Sequence, residues 1–333
     1  SGFRFDLMAL HDIETMELIA EELHAIDPTI MVYGEPWMGG TSPLPADQQA
    51  GKANLSQIEG VGAFNDDLRD GVKGSVFARA EGGFIQGNFT NNLIQRVRYG
   101  IAGGVAHPQV TGSSLSNMRI WHTEPTKTIN YVTAHDNNTL YDKLYQTLEE
   151  DGDLDLIPAL MKQANAIVLL SQGVSFLHAG DEFMRSKPAE NGKGFDHNSY
   201  QSPDSVNQLR WDLKAEVDKM EIFEYYKDLI AFRKNHDALR MTTSGEVINN
   251  LEFIYTDVTG IMAYTLTSGS TDDAFDEMLI IHNANRKATK LKLPTGGGWV
   301  LVGNQDQLSD EMISTHEGGS RISVPAHASY VLY

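Results

Sequence analysis

The chain of 333 residues has no cysteine, so disulfides, thiolate metal sites and cysteine nucleophiles are all excluded. Positive charge is also scarce: 26 Lys and Arg stand against 45 Asp and Glu, a formal net charge of −19. Such a surface repels phosphate backbones and anionic lipid, so neither nucleic acid nor membrane is an expected partner. No apolar run approaches the roughly 18 residues of a membrane span, and no signal-peptide pattern is visible. The eleven histidines contain no H-x-H or H-E-x-x-H spacing, so no zinc site is expected. No strand is followed by a G-x-G-x-x-G or Walker loop, which argues against a phosphate-cradling, doubly wound sheet. Internal repeats and low-complexity segments are lacking too.

What is present is a hydrophobic fraction of 41%, enough for a large core or two. "GFRFDLM" opens as a strand, in which alternation sends Phe3, Phe5 and Leu7 to one face and Arg4, Asp6 and Met8 to the other. "DIETMELIAEELHAI" follows, an amphipathic helix with Ile13, Met16, Ile19, Ala20, Leu23 and Ile26 on its apolar face and Asp12 placed to cap it. Thr29–Tyr33 is a second strand, closed by Gly34 and followed by Glu35 and Pro36. A long loop from Trp37 to about Gly60, the short "GAFND", a helix over Asn91–Tyr99 and a strand over Thr128–Ala134 ending at His135 and Asp136 come next. "IPALMKQANAIVLLSQG" is an apolar helix with Pro158 in its first turn, and "VSFLHAGDEF" a further strand with Asp181 and Glu182 at its exit.

Strands alternate with helices, and Asp6, Glu35, Asp136, Asp181 and Glu182 all fall at strand ends. That pattern predicts part of a (β/α)8 TIM-type barrel over residues 1–241, whose chemistry sits at the carboxyl ends of its strands. From about 242 to 333 the texture changes to short runs such as "IMAYTLT", "EMLIIHNA" and "SYVLY" between turn residues, which predicts an antiparallel β-sandwich domain.

Carboxylates at the ends of neighbouring strands suit glycoside hydrolysis, in which one attacks the sugar carbon and a second donates a proton to the leaving oxygen. Arg4, beside Asp6 on the strand, favours an ionised nucleophile, and Pro36 and Trp37 beside Glu35 favour a desolvated, proton-holding acid. Trp37, Phe64 and Tyr200 are candidate flat faces for sugar rings, although packing is the favoured reading of Phe64. Each residue also has a plainer reading. Asp6 and Arg4 make a structural ion pair, Glu35 is a solvated loop residue, Asp136 caps the helix that follows, and Asp181 and Glu182 have a structural role, the favoured reading for that pair. "DGDLDLIPALMK" fails the EF-hand pattern, with Leu156 and Lys162 where glycine and glutamate are required, and reads as an acidic helix start stabilised by the helix dipole.

"GFRFDLM", "YGEPW" and "VTAHDNNTL" resemble three signatures of the α-amylase superfamily, in order. "GFRFDLMALHDIETM", "MVYGEPWMGG", "FNDDLRDGVKGSVF", "HAGDEFMRSK" and "NSYQSPDSVNQLRWD" together resemble the type I pullulanases, across nearly the whole chain. The resemblance implies retaining hydrolysis of α-1,6-glucosidic branch points in pullulan, amylopectin or limit dextrins, with Asp6 as nucleophile, Glu35 as general acid/base and Asp136 as the third carboxylate. Arg4 and His135 match positions that hold the nucleophile and the sugar. One departure is Ala9, where the family motif usually continues with glycine. The resemblance also implies that this chain begins at the fourth barrel strand, as the C-terminal piece of a longer enzyme, with the missing half, in a second chain or in the same one, as its expected partner besides the α-glucan substrate. No cofactor is required; calcium binds to some relatives, but the sequence offers no firm ligand set for it. Relatives occur both inside bacteria and exported, and the balance leans to the cytoplasm. Competing readings are isoamylase-type, α-1,4-hydrolytic or transglycosylating activity, and a non-catalytic glucan-binding fragment.

Overall fold

The computed structural model describes residues 1–116 and 120–333. Five short parallel strands form one open sheet in the order β1 (Gly2–Phe5), β2 (Met31–Gly34), β3 (Val61–Phe64), β4 (Thr128–Asn130) and β5 (Val174–Ser175). Each strand pairs with the next in sequence, so the sheet has no reversal of strand order of the kind that marks a doubly wound fold. The helices α1 (Ile13–Ile26), α2 (Asp66–Lys73), α3 (Asn91–Ile101), α4 (Leu140–Leu148), α5 (Ile157–Leu169), the four-residue α6 (Asp204–Asn207) and α7 (Val217–Asn235) alternate with or follow these strands. One large core joins the sheet to its helices through Met16, Val32, Leu68, Val97, Ile167 and Leu229. A smaller cluster on the sheet's other face is aromatic: Phe64 and Tyr131 are buried and Tyr33, Trp37 and Phe176 pack against them. Phe64 therefore packs as expected, edge-on to Tyr33, Tyr131 and Phe176.

Local chemistry accounts for several boundaries. The Asp12 carboxylate accepts from the Thr15 backbone N–H and caps α1, and Pro158 sits in the first turn of α5, where its missing N–H costs nothing. β1 stops at Phe5 because Leu7 turns into the left-handed region, φ 46°, and a 3-10 turn over Met8–Leu10 follows. The expected alternation thus ends before Met8, which is fully buried in the main core. β4 is also shorter than predicted, because the chain leaves the ladder after Asn130. The buried Asn130 side chain ties it to its surroundings, donating to the carbonyls of Gly100 at 2.7 Å and Gln172 at 2.8 Å and accepting from Asn65 at 2.9 Å. Asp151 and Asp153 make ion pairs with Arg286, so the acidic stretch before α5 is a tie to the distant C-terminal strands as well as a helix start.

The chain then enters α8 (Ser244–Asn250), a short helix the sequence reading lacks, capped by reciprocal bonds between Thr243 and Glu246. Eight strands follow: β6 (Leu251–Ile254), β7 (Ile261–Thr267), β8 (Glu277–Asn283), β9 (Thr289–Lys292), β10 (Gly298–Gly303), β11 (Ser314–Glu317), β12 (Arg321–Val324) and β13 (Ala328–Leu332). Six form an antiparallel sheet in the order β11-β10-β13-β8-β7-β6, and β9 with β12 forms a second layer. Leu279, Ile281, Leu291, Trp299 and Ile322 fill the space between the layers. α5 docks against the larger sheet through Gln163, whose Nε2 donates to the carbonyls of Asn283 and Ala328.

β1 and β2 come close because Gly34 stands opposite Phe5 in the ladder. A Cβ at Gly34 would lie 2.7 Å from the Phe5 carbonyl oxygen and 2.8 Å from Met8 Cβ. Gly34→Ala is therefore expected to lower unfolding free energy by about 1–3 kcal/mol, the range for overpacking, as read by denaturant melts.

Candidate active site

The parallel register carries two acidic residues past their strand ends side by side. Phe5 pairs with Gly34, the Glu35 N–H donates to the Phe5 carbonyl at 3.0 Å, and Asp6 and Glu35 emerge together. Arg4 lies on β1 with its guanidinium between them: Nη1 donates to Asp6 Oδ1 at 2.5 Å and Nη2 to Glu35 Oε1 at 2.7 Å. The other Glu35 oxygen accepts the Leu7 N–H at 2.8 Å, a bond that the left-handed turn at Leu7 accompanies. Glu35 is 3% exposed, so the burial expected of it is present, but two donors compensate its carboxylate. Arg4 is shared by both carboxylates, where the sequence reading assigned it to Asp6 alone. Asp6, just past the end of the edge strand β1, keeps 58% of its side chain exposed.

His135 joins from beyond β4. Its Nε2 lies 2.9 Å from Arg4 Nη2, 3.5 Å from Asp6, 3.7 Å from Glu35 and 3.8 Å from Asp136. The Glu35 carboxylate above all, with Asp136, holds the imidazole above its usual value, while partial burial and Arg4 oppose. One oxygen each of Asp6 and Glu35 and one ring nitrogen of His135 lie within 4.8 Å of one another, a spacing that also suits a cation; here the guanidinium of Arg4 occupies the centre of that charge. Glu35, Trp37 and Asp136 line a cavity of about 340 Å³ together with Arg69, Lys73, Phe77 and Tyr131.

Not every predicted residue converges here. Tyr200 lies 71% exposed on a 3-10 turn and is absent from the cavity wall. Asp136 does not cap α4; the Thr139 hydroxyl does, accepting from the Asp142 N–H. Asp181 is buried behind the site, and Glu182 accepts from the Gly180 N–H at 2.8 Å. Conversely, sequence reasoning missed Arg69, Lys73 and Tyr131 in the cavity wall, and Lys187, whose Nζ donates to the His135 carbonyl at 3.0 Å. Asp142 orients that strut by accepting the Lys187 backbone N–H at 2.9 Å and the Ser186 hydroxyl at 2.6 Å. The four-residue spacing of Arg69 and Lys73 on one helix was the available signal for the wall; Lys187 lies 52 residues from His135 and left none.

The imidazole of His135 should titrate above 6.5, and Glu35→Gln should move it down towards that value, as followed by NMR. The sign for stability follows: a raised folded-state value favours the fold below about pH 6.5, and that contribution is lost as pH rises through the folded-state value. Stability-versus-pH curves of the wild type and His135→Gln should therefore diverge on the acid side and converge on the alkaline side.

The chain as a whole is similar to known proteins. A family model described as "Pullulanase, all-beta domain" matches residues 247–307. The pullulanase of Bacillus subtilis (strain 168) is 37% identical over 293 residues, covering 88% of this chain and 38% of that protein. The solved pullulanase from Bacillus acidopullulyticus superposes with a TM-score of 0.86 at 36% identity, over 99% of this chain and 37% of that one. A pullulanase from Paenibacillus barengoltzii, solved in complex with maltohexaose and alpha-cyclodextrin, gives 0.85 at 37% identity, over 99% of this chain and 47% of that one. The chain thus spans less than half the length of each of these relatives.

Proposed function

We propose, from the premise that the chain belongs to the type I pullulanase family and matches its C-terminal portion, that it carries the catalytic carboxylates of a retaining glycoside hydrolase acting on the α-1,6-glucosidic branch linkages of α-glucans. The observation that carries the reading is the Asp6–Glu35 pair at the carboxyl ends of adjacent parallel strands, bridged by Arg4 with oxygens inside 4.8 Å. Retaining enzymes hold their two carboxyl groups about 5–5.5 Å apart, whereas inverting ones leave room for a water between them. Related pullulanases solved with maltohexaose or maltotetraose support a glucan as ligand.

In this reading Asp6 attacks the anomeric carbon as the bond to the leaving oxygen breaks, and Glu35 gives that oxygen its proton. Water then attacks the anomeric carbon of the glycosyl–Asp6 ester, the bond from that carbon to Asp6 breaks to release its carboxylate, and Glu35 takes the water's proton. Arg4 orients both carboxylates. His135 and Asp136 hold sugar hydroxyls, and Trp37 offers a ring face. These steps call on no cofactor.

The reading includes closure of the sheet. Among the described residues β1 and β5 each have one unpaired edge, and Phe3 on β1 is 50% exposed. Open edges and bare apolar residues are the liabilities that barrel closure removes. We assign the five strands to positions four to eight of a (β/α)8 barrel, completed by an N-terminal half in the same or a second chain.

Reducing-sugar release from pullulan tests this. Activity is expected from the completed enzyme and not from the 333 residues alone, and Asp6→Asn should lower kcat/KM by about 10³-fold or more, on the order of 4 kcal/mol of transition-state stabilisation. A completed enzyme that binds pullulan without cleaving it would leave a glucan-binding protein instead.

A further inference from the structure

The helix α2 contributes a wall to the cavity that the carboxylate chemistry does not use. Arg69 and Lys73, one turn apart on this helix, both line the cavity. Arg69 is held by the protein, donating from Nη1 to the Tyr131 hydroxyl at 2.9 Å and from Nε to Asp70 at 2.6 Å, with its guanidinium near the Trp37 ring. Lys73 is not. Its side chain is 1% exposed, it lines the cavity, and its ammonium makes no hydrogen bond or ion pair among the described residues.

Behind Lys73 lies Asp181, 1% exposed, with neither carboxylate oxygen hydrogen-bonded. The two attract each other across a gap longer than an ion pair. An ammonium held among protein groups with no acceptor is costly, and Asp181, whose own carboxyl burial pushes well above the usual carboxylate range, gives it no hydrogen bond. The remaining source of acceptor oxygens is whatever fills the cavity.

Taking the glucan reading above as the basis, we infer that Lys73 is a ligand-binding residue of the cavity, its ammonium donating to hydroxyl oxygens of the glucan chain held beside Glu35 and Asp136. Burial lowers Lys73 to about 7. Arg69 on its own helix and Lys143 on α4 push in the same direction, against the attraction of Asp181 and Asp70. The ammonium therefore gives up its proton as pH rises past neutrality, and with it one donor and the positive charge.

The test is maltotriose affinity of the completed enzyme, measured by titration calorimetry in an Asp6→Asn background so that no turnover intervenes. Lys73→Met should weaken binding about tenfold or more at pH 6, the loss of charge-assisted hydrogen bonds. The gap between the two proteins should narrow by pH 8.5, because the wild type then loses its ammonium. His135 titrates in both proteins, so the difference between them isolates Lys73. A double variant, Lys73→Met with Asp181→Asn, replaces the pair by neutral side chains of similar size and guards against an unfolded single variant; it should show the same loss. Equal affinity in a folded single or double variant would overturn the inference while leaving the glucan reading intact. If the Asp6→Asn parent itself binds no maltotriose, the glucan reading falls, and this inference with it.

Discussion

A single guanidinium between two carboxylates is the interaction on which the rest of the site depends. Arg4 can bridge Asp6 and Glu35 only because β1 and β2 run parallel with Phe5 against Gly34, and that register holds only because residue 34 lacks a side chain. Two carboxylates this close repel each other. The shared cation offsets that repulsion, and its planar fork sets both orientations at once. The placing of both carboxylates is thus a consequence of main-chain approach at the residue just before each of them.

Around that centre the protein uses polar groups as struts. Asn130 ties β4 to two neighbouring carbonyls, Lys187 holds the carbonyl of His135, and Asp142 holds Lys187. Each buried donor in these struts finds an oxygen, the arrangement that low-dielectric interiors demand. Lys73 stands apart from them: it lines the cavity and, among the described residues, its ammonium has no protein acceptor.

Much of this was legible in the amino-acid order. Asp12 capping α1, Pro158 opening α5 and the alternating apolar runs of the C-terminal strands all act through near neighbours, and local chemistry reads them. Asp6 and Glu35 were legible because each ends a strand. Features set by distant partners were not. β1 ends where Leu7 turns left-handed in order to bond Glu35, 28 residues on; Thr139 displaces Asp136 as the cap; Tyr200 faces outward on a turn. The cations of α2 showed only as polar residues in a helix too short to announce itself.

The contacts of α5 have one more consequence. Its Gln163 reaches the carbonyls of Asn283 and Ala328, Leu170 just beyond it accepts from the Tyr264 hydroxyl, and Asp153 before it pairs with Arg286. One helix is thereby a party wall, with the parallel sheet's core on one flank and the antiparallel sheet on the other. Neither side can melt without stripping the partners from polar groups buried in that wall. The two halves of the chain are therefore tied through shared side-chain to main-chain hydrogen bonds rather than strung together.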